Sequence, residues 1–214
     1  MTAYISQNAF WGLLISAVEV YKRECFGLLI GYRDRRGPAG ARHESQFAGP
    51  PGVAPGGPES RRRGAKAGLF HDMYIVEHAI AFQTARRRHK GVVSNPRAHR
   101  RIDRFLRTVP HLSVIGDFHS HTMWGYSRAA SHPSDTDIAG MVPESVYVIV
   151  SINDRLREVP WNYNDDGSLS GTTDDHYFRL TAYTITPARE QRRVPILCPY
   201  AIGFDRMPTL RAVR

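Results

Sequence analysis

Two histidines at a spacing of two residues are the feature of this sequence that most directly indicates chemistry. His119 and His121 follow the apolar run 112–115, which is typical of a buried strand. Residues two apart on a strand point to the same face, so we expect both imidazoles to lie side by side. A single histidine usually has a structural role, but two neighbouring imidazoles can bind one divalent metal ion.

A carboxylate a short way downstream could complete such a site. Pro133 and Ser134 break the chain, Ser134 can cap a helix, and Asp135 and Asp137 fall in its first turn. Helix capping alone would explain both aspartates, because negative charge is favourable there. As a third ligand, Asp137 would leave one position of a zinc ion open to water, as in catalytic zinc sites.

The order of these residues resembles that of the JAMM (MPN-type) metalloproteases. His-x-His is followed by Ser-x-x-Asp, and an upstream glutamate opens an apolar stretch with two glycines, from Glu24 to Gly31. The resemblance extends over residues 8–186. It implies that His119, His121 and Asp137 bind a zinc ion (Zn²⁺). Glu24 would be the general base, and Ser134 would donate to the oxyanion.

The spacing after the second histidine differs from that of the resembled family. Fifteen residues separate His121 from Asp137, whereas the family usually has about ten. We interpret the difference as a five-residue insertion within residues 122–132. Asp135 and His132 therefore stay open as alternatives to Asp137.

The resemblance implies a metallopeptidase or isopeptidase. Its expected substrate is a ubiquitin-like or sulfur-carrier protein, cleaved after its C-terminus by zinc-activated water. The alternative is a catalytically silent MPN-type scaffold, or a binding module that uses basic patches to hold an acidic partner.

The pattern of elements predicts an α/β fold. We expect a single mixed, twisted sheet flanked by helices, and the resemblance implies a cytidine-deaminase-like arrangement. Periodicity predicts helices over 8–22 and 96–107, and strands over 24–32, 73–85, 145–152 and 177–186. The strand over 73–85 is expected to place Tyr74, Val76, His78, Ile80 and Phe82 on one face.

Composition divides the chain further. The Gly-, Pro- and Arg-rich residues 33–68 predict a disordered insertion, so that the domain would span 1–186 and a basic C-terminal extension 187–214. The net charge of +9 is concentrated in residues 33–66 and 86–101. Such patches favour an acidic partner, although the predicted helix over 96–107 contains no base-reading aromatic motif that would specify nucleic acid.

Cysteine content and hydropathy predict the environment of the protein. Cys25 and Cys198 form no CxxC motif or disulfide framework, which suits a reducing compartment. No apolar run reaches the roughly eighteen residues of a membrane span. We therefore expect a soluble, cytoplasmic protein that does not bind membranes.

Overall fold

A mixed sheet dominates the computed structural model, which describes residues 1–36, 71–82, 86–88, 91–93 and 95–204. Four helices accompany twelve strands in this part of the chain. The helices are α1 (Gln7–Glu19), α2 (Pro96–Leu106), α3 (Asp135–Gly140) and α4 (Pro199–Phe204). The strands are β1 (Thr2–Ile5), β2 (Phe26–Arg36), β3 (His71–Ala81), β4 (Arg86–Arg88), β5 (Gly91–Val93), β6 (Ser113–Thr122), β7 (Val146–Asp154), β8 (Asn162–Tyr163), β9 (Leu169–Thr173), β10 (His176–Ile185), β11 (Gln191–Val194) and β12 (Ile196–Leu197).

The main sheet has ten of these strands and nearly closes on itself. Its order is β12-β1-β3-β2-β6-β7-β10-β9-β8, and β11 also pairs with β10. β6 and β7 are parallel, as are β1 and its two neighbours, and the other pairs are antiparallel. Only Pro195 separates β11 from β12, although β11 pairs with β10 and β12 pairs with β1. β4 and β5 form a separate hairpin.

Helix α1 packs against the main core. Its first turn is capped by Ser6, whose hydroxyl accepts from the Ala9 amide at 3.2 Å and donates to the Glu77 carbonyl at 2.7 Å. The apolar face that the sequence predicts is buried, with Phe10 and Leu13 fully enclosed. Burial of such side chains contributes about 1.5–3 kcal/mol each, which is why the helix keeps this face against the sheet.

The opposite face of the sheet carries α2 and α3. Leu28 and Ile30 of β2 cluster with Phe82 and the inner side of α2, while Tyr147 and Ile149 of β7 cluster with Met141 at the end of α3. Helices therefore cover both faces. The predicted α/β class and the predicted helix over 96–107 are confirmed.

A β-bulge divides β3 into two halves that face opposite ways. Ile30 pairs with His78 but Gly31 pairs with Val76, so Glu77 is the extra residue. Tyr74 and Val76 are buried in the main core, whereas Ile80 is 50% exposed. The prediction that these apolar residues share one face was wrong, because a bulge reverses the alternation of side chains.

Two predicted boundaries differ from the structure. Residues 33–36 continue β2 and pair with β3, up to Arg36 opposite His71; the rest of the predicted insertion, 37–68, lies outside the described residues. At the other end, β11 and β12 belong to the sheet, and Val194, Ile196, Cys198 and Ala201 are buried in the main core. The core therefore continues past residue 186 to at least residue 201, and residues 205–214 lie outside the described part.

No described helix has both the length and the apolarity needed to cross a bilayer.

Candidate metal centre

His119 and His121 lie near the end of β6, between β2 and β7. His119 is opposite Phe26 of β2, and His121 is opposite Ser151 of β7. The two Nε2 atoms are 3.0 Å apart, and His119 is only 9% exposed. The prediction that both rings point the same way is confirmed.

The orientation of His121 is set by a backbone carbonyl. Its Nδ1 lies 3.0 Å from the Ala130 oxygen, which also accepts a 2.6 Å hydrogen bond from the Ser151 hydroxyl. Because a carbonyl can only accept, Nδ1 carries the ring proton. The lone pair of neutral His121 is then on Nε2 and points toward His119, which is the form that a metal ligand requires.

Helix α3 brings a carboxylate to the same point. Ser134 caps the helix in a capping box with Asp137. The Ser134 amide and hydroxyl each donate to Asp137 Oδ2 at 2.7 Å. This oxygen lies 3.5 Å from His119 Nε2 and 3.8 Å from His121 Nε2. Asp137 is thus both the capping-box partner of Ser134 and the candidate ligand.

Burial and their mutual charges shift the pKa values of all three side chains. Burial would raise the pKa of Asp137, but hydrogen bonds from His119 and Ser134 hold it well below its usual range. Burial likewise opposes the positive charge of His119, yet Asp137 raises its pKa. Burial and the charge of His119 lower the pKa of His121. An ionised carboxylate therefore faces one neutral ring and one ring that it can stabilise as a cation.

Glu24 lies beside this trio but is not part of it. Its neighbour Cys25 is bound to β6 twice: the Cys25 amide donates to the Ser120 hydroxyl at 2.8 Å, and the Ser120 amide donates to the Cys25 carbonyl at 3.1 Å. Burial raises the pKa of the Glu24 carboxyl, while the charge of His119 lowers it. Ser120, between the two histidines, thus holds the segment that carries Glu24 against the site.

The trio could bind a metal ion. Ligand atoms of His119, His121 and Asp137 all lie within 4.8 Å of one another. Two imidazole nitrogens and one carboxylate oxygen suit zinc and also other first-row transition metals, so the donor set does not identify the metal. Of the three candidates for the third ligand, the structure brings Asp137 to the rings. Asp135 and His132 are exposed, and neither belongs to the group.

Ser134 has a positioning role in this structure. Its hydroxyl donates to Asp137 Oδ2 and accepts from the Asp137 amide at 3.2 Å. The predicted role as an oxyanion donor would require the hydroxyl proton to leave Asp137. That role stays a prediction.

A third carboxyl near the histidines was not predicted from the sequence. Asp117 is partly buried on β6, and burial raises its pKa to about 7, with His119 acting in the opposite direction. By strand alternation it shares a face with His119 and His121. The spacing of two residues that selected the histidines would also have selected Asp117.

Comparisons with known proteins relate this chain to others by fold. Neither the protein-family models nor the curated proteins include a match. Among solved structures, the solution structure of a Desulfitobacterium hafniense protein is similar, with 15% identity, 92% of each chain covered and a TM-score of 0.51. The solution structure of a Salinibacter ruber protein covers 91% of each chain at 17% identity, with a TM-score of 0.43. At 15% identity, the first similarity concerns the α/β fold alone.

Proposed function

We propose that this protein is a zinc-dependent metallopeptidase or isopeptidase of the JAMM (MPN) type. Its substrate would be a ubiquitin-like or sulfur-carrier protein, hydrolysed at the bond after its C-terminus. The observation that supports this proposal most is the convergence of His119, His121 and Asp137 at one point with Glu24 beside them. The finer fold assignment, a cytidine-deaminase-like JAMM domain, is part of the same proposal.

Each residue would have a distinct task. A zinc ion bound by the trio would supply a Lewis acid and a source of nucleophile at neutral pH. The Ala130 carbonyl orients His121, and Ser134 orients Asp137. Glu24 would accept a proton and return it to the leaving amine, and a pKa above the usual carboxyl value suits such exchange.

Metal content tests the first half of the proposal. We expect the purified protein to bind about one zinc ion per chain, and His119→Ala to lose it, because two remaining ligands bind weakly. His132→Ala is the matched control, since this exposed histidine is outside the trio. Elemental analysis of all three proteins is the measurement, and wild-type protein without zinc after reconstitution would contradict the proposal.

Cleavage tests the second half. The zinc-loaded protein is incubated with fusions of ubiquitin-like and sulfur-carrier proteins, with and without a chelator, and products are resolved by mass spectrometry. We expect cleavage after the carrier's C-terminus, its loss with chelator and its return with added zinc. Zinc binding without cleavage of any fusion would favour the scaffold alternative.

A basic surface on α2 would serve the scaffold or binding-module alternative. The outer side of α2 exposes four arginines, and this surface would suit an acidic partner whether or not the protein is an enzyme. These residues are Arg97, Arg100, Arg101 and Arg104.

A further inference from the structure

A cleft of ≈ 770 Å³ opens at the end of β7, and its lining includes none of the residues of the candidate metal centre. Its lining includes Met123 and Tyr126 from the loop after β6, Asn153 at the end of β7, and Tyr177 of β10, together with Leu156 and Val159. The loop is where the five extra residues between His121 and Asp137 lie. The cleft is therefore built partly from the segment in which this chain differs from the family that it resembles.

The cleft and the metal centre lie on the same face of the sheet. Ser151 is opposite His121 and bonds to the Ala130 carbonyl that also holds His121. Asn153 follows two residues later on β7, which places it on the same face about 7 Å further along, and it is opposite Tyr177 of β10. Ala129 and Ala130 lie between the two sites, bonded to Asn153 and Ser151, so a chain in the cleft would pass over this loop segment to reach the trio.

Hydrogen bonds hold the loop in place at this point. The Ala129 amide donates to Asn153 Oδ1 at 2.8 Å, and the Ser131 carbonyl accepts from Thr181 and Tyr183 at 2.7 and 2.9 Å. The tip of the loop turns at Gly125, which has a φ of 55°. The wall of the cleft is thus attached to β7 and β10 and does not depend on a ligand for its position.

The exposed groups of the cleft are apolar and basic. Tyr126 is fully exposed, and Leu156 is 82% exposed. Arg128 and Arg157 also line the cleft and are exposed, and the ion pairs found among the described residues include neither of them. The acidic lining residue, Asp154, already accepts a 2.6 Å hydrogen bond from the Tyr21 hydroxyl. Among the residues that the structure describes, the cleft therefore offers two cations without an ion-pair partner beside apolar surface.

We propose that this cleft binds an extended peptide segment of the substrate in which acidic and apolar residues alternate. The inference rests on the proposed peptidase function, because it places this segment on one side of the scissile bond. Apolar side chains would cover Tyr126 and Leu156, and a carboxylate would pair with Arg128 or Arg157. Tyr126 and Leu156 line the cleft and are exposed to solvent, so a chain that passes over them would bury apolar surface.

Binding of a defined peptide tests the proposal without any need for catalysis. The probe is a fluorescein-labelled nonapeptide of three Gly-Glu-Leu repeats, compared with one of three Gly-Lys-Leu repeats by fluorescence anisotropy. We expect the acidic peptide to bind more tightly. Arg128→Ala and Arg157→Ala should each weaken binding about threefold, and the double variant about tenfold. Arg104→Ala, an exposed arginine of α2 remote from the cleft, is the matched control.

The outcomes separate this proposal from the proposed function. Because the readout is binding, the chelator-treated protein should bind the acidic peptide as the zinc-loaded protein does, even if no fusion protein is ever cleaved. Equal binding of the two peptides, or equal loss with Arg104→Ala, would overturn the proposal in favour of general electrostatic attraction. A labelled single-stranded oligonucleotide that binds more tightly than the peptide, with loss in the same two arginine variants, would assign the cleft to nucleic acid instead.

Discussion

At the scale of single residues, the candidate chemistry depends on which nitrogen of each imidazole is free. The Ala130 carbonyl accepts a hydrogen bond from the Nδ1–H of His121, which leaves Nε2 to face His119 and Asp137. Ser134 fixes Asp137 through two donors. Ligation is therefore prepared by groups that do not touch the metal themselves, as is usual in metal sites.

Glu24 is expected to act in proton transfer and not in ligation. Glu24→Gln keeps the shape of the side chain but cannot accept the proton, so cleavage should fall by about 10²–10⁴-fold while zinc content stays unchanged. Single-turnover cleavage assays and elemental analysis on the same preparation are the measurements. Retained cleavage would exclude Glu24 as the base, and lost zinc would make it a ligand.

Asp137 and Asp135 form a matched pair for the third ligand. Asp137→Ala should weaken zinc affinity by more than the about 10–100-fold that loss of an outer-shell partner costs, whereas Asp135→Ala should leave it unchanged. Competition with a chromophoric zinc chelator measures both. A larger effect of Asp135→Ala would mean that the ligand assignment across the insertion is wrong.

At the scale of elements, the site depends on how closely β2 and β6 approach each other. Glu24 lies near the histidines two residues before β2 begins, and Gly27 of β2 is opposite Phe118 of β6. A Cβ at residue 27 would overlap both the Phe118 ring and the Ile80 carbonyl of β3. The absence of a side chain at Gly27 thus lets three strands meet beside the site.

Gly27→Ala should therefore destabilise the fold. Overpacking typically costs about 1–3 kcal/mol, and urea unfolding with an unchanged slope would measure it. Gly140→Ala at the end of α3 is the control, because a Cβ there meets nothing within 4 Å. Equal stability of the two variants would show that β2 and β6 can separate without cost.

At the scale of the whole molecule, strand pairing in the nearly closed sheet brings the two ends of the described chain into one core. β11 pairs with β10, and β12 pairs with β1, so the last described strands join the first and the tenth. β2 and β3 stay paired as far as Arg36 and His71. The long segment between these two residues therefore leaves and re-enters the sheet at one point.

Replacing residues 37–70 by Asn-Gly should leave the fold intact. Two residues of this type connect antiparallel strands in a hairpin turn, and Arg36 and His71 are already opposite each other. Far-UV circular dichroism and thermal unfolding would compare the shortened protein with wild type. A shortened protein that no longer unfolds cooperatively would show that the segment is required for folding.

Much of the local structure could be predicted, because its causes are local. Helix periodicity located α1 and α2, and strand alternation placed both histidines on one face. The side of each apolar residue in β3 could not be predicted, since the bulge at Glu77 arises from pairing with β2. The role of the last strands was not predicted for the same reason. A short apolar segment does not indicate which strand it will pair with.

The sequence by itself determined the residue types and the short spacings of the candidate centre, because His-x-His and Ser-x-x-Asp act within one strand and one helical turn. Only the tertiary structure decided that Asp137, and not Asp135 or His132, reaches the rings, and that Glu24 lies beside them. The physical reason is that these residues are brought together by strand order, register and hydrogen bonds between distant segments. Such contacts depend on the whole sheet and leave no short-range pattern.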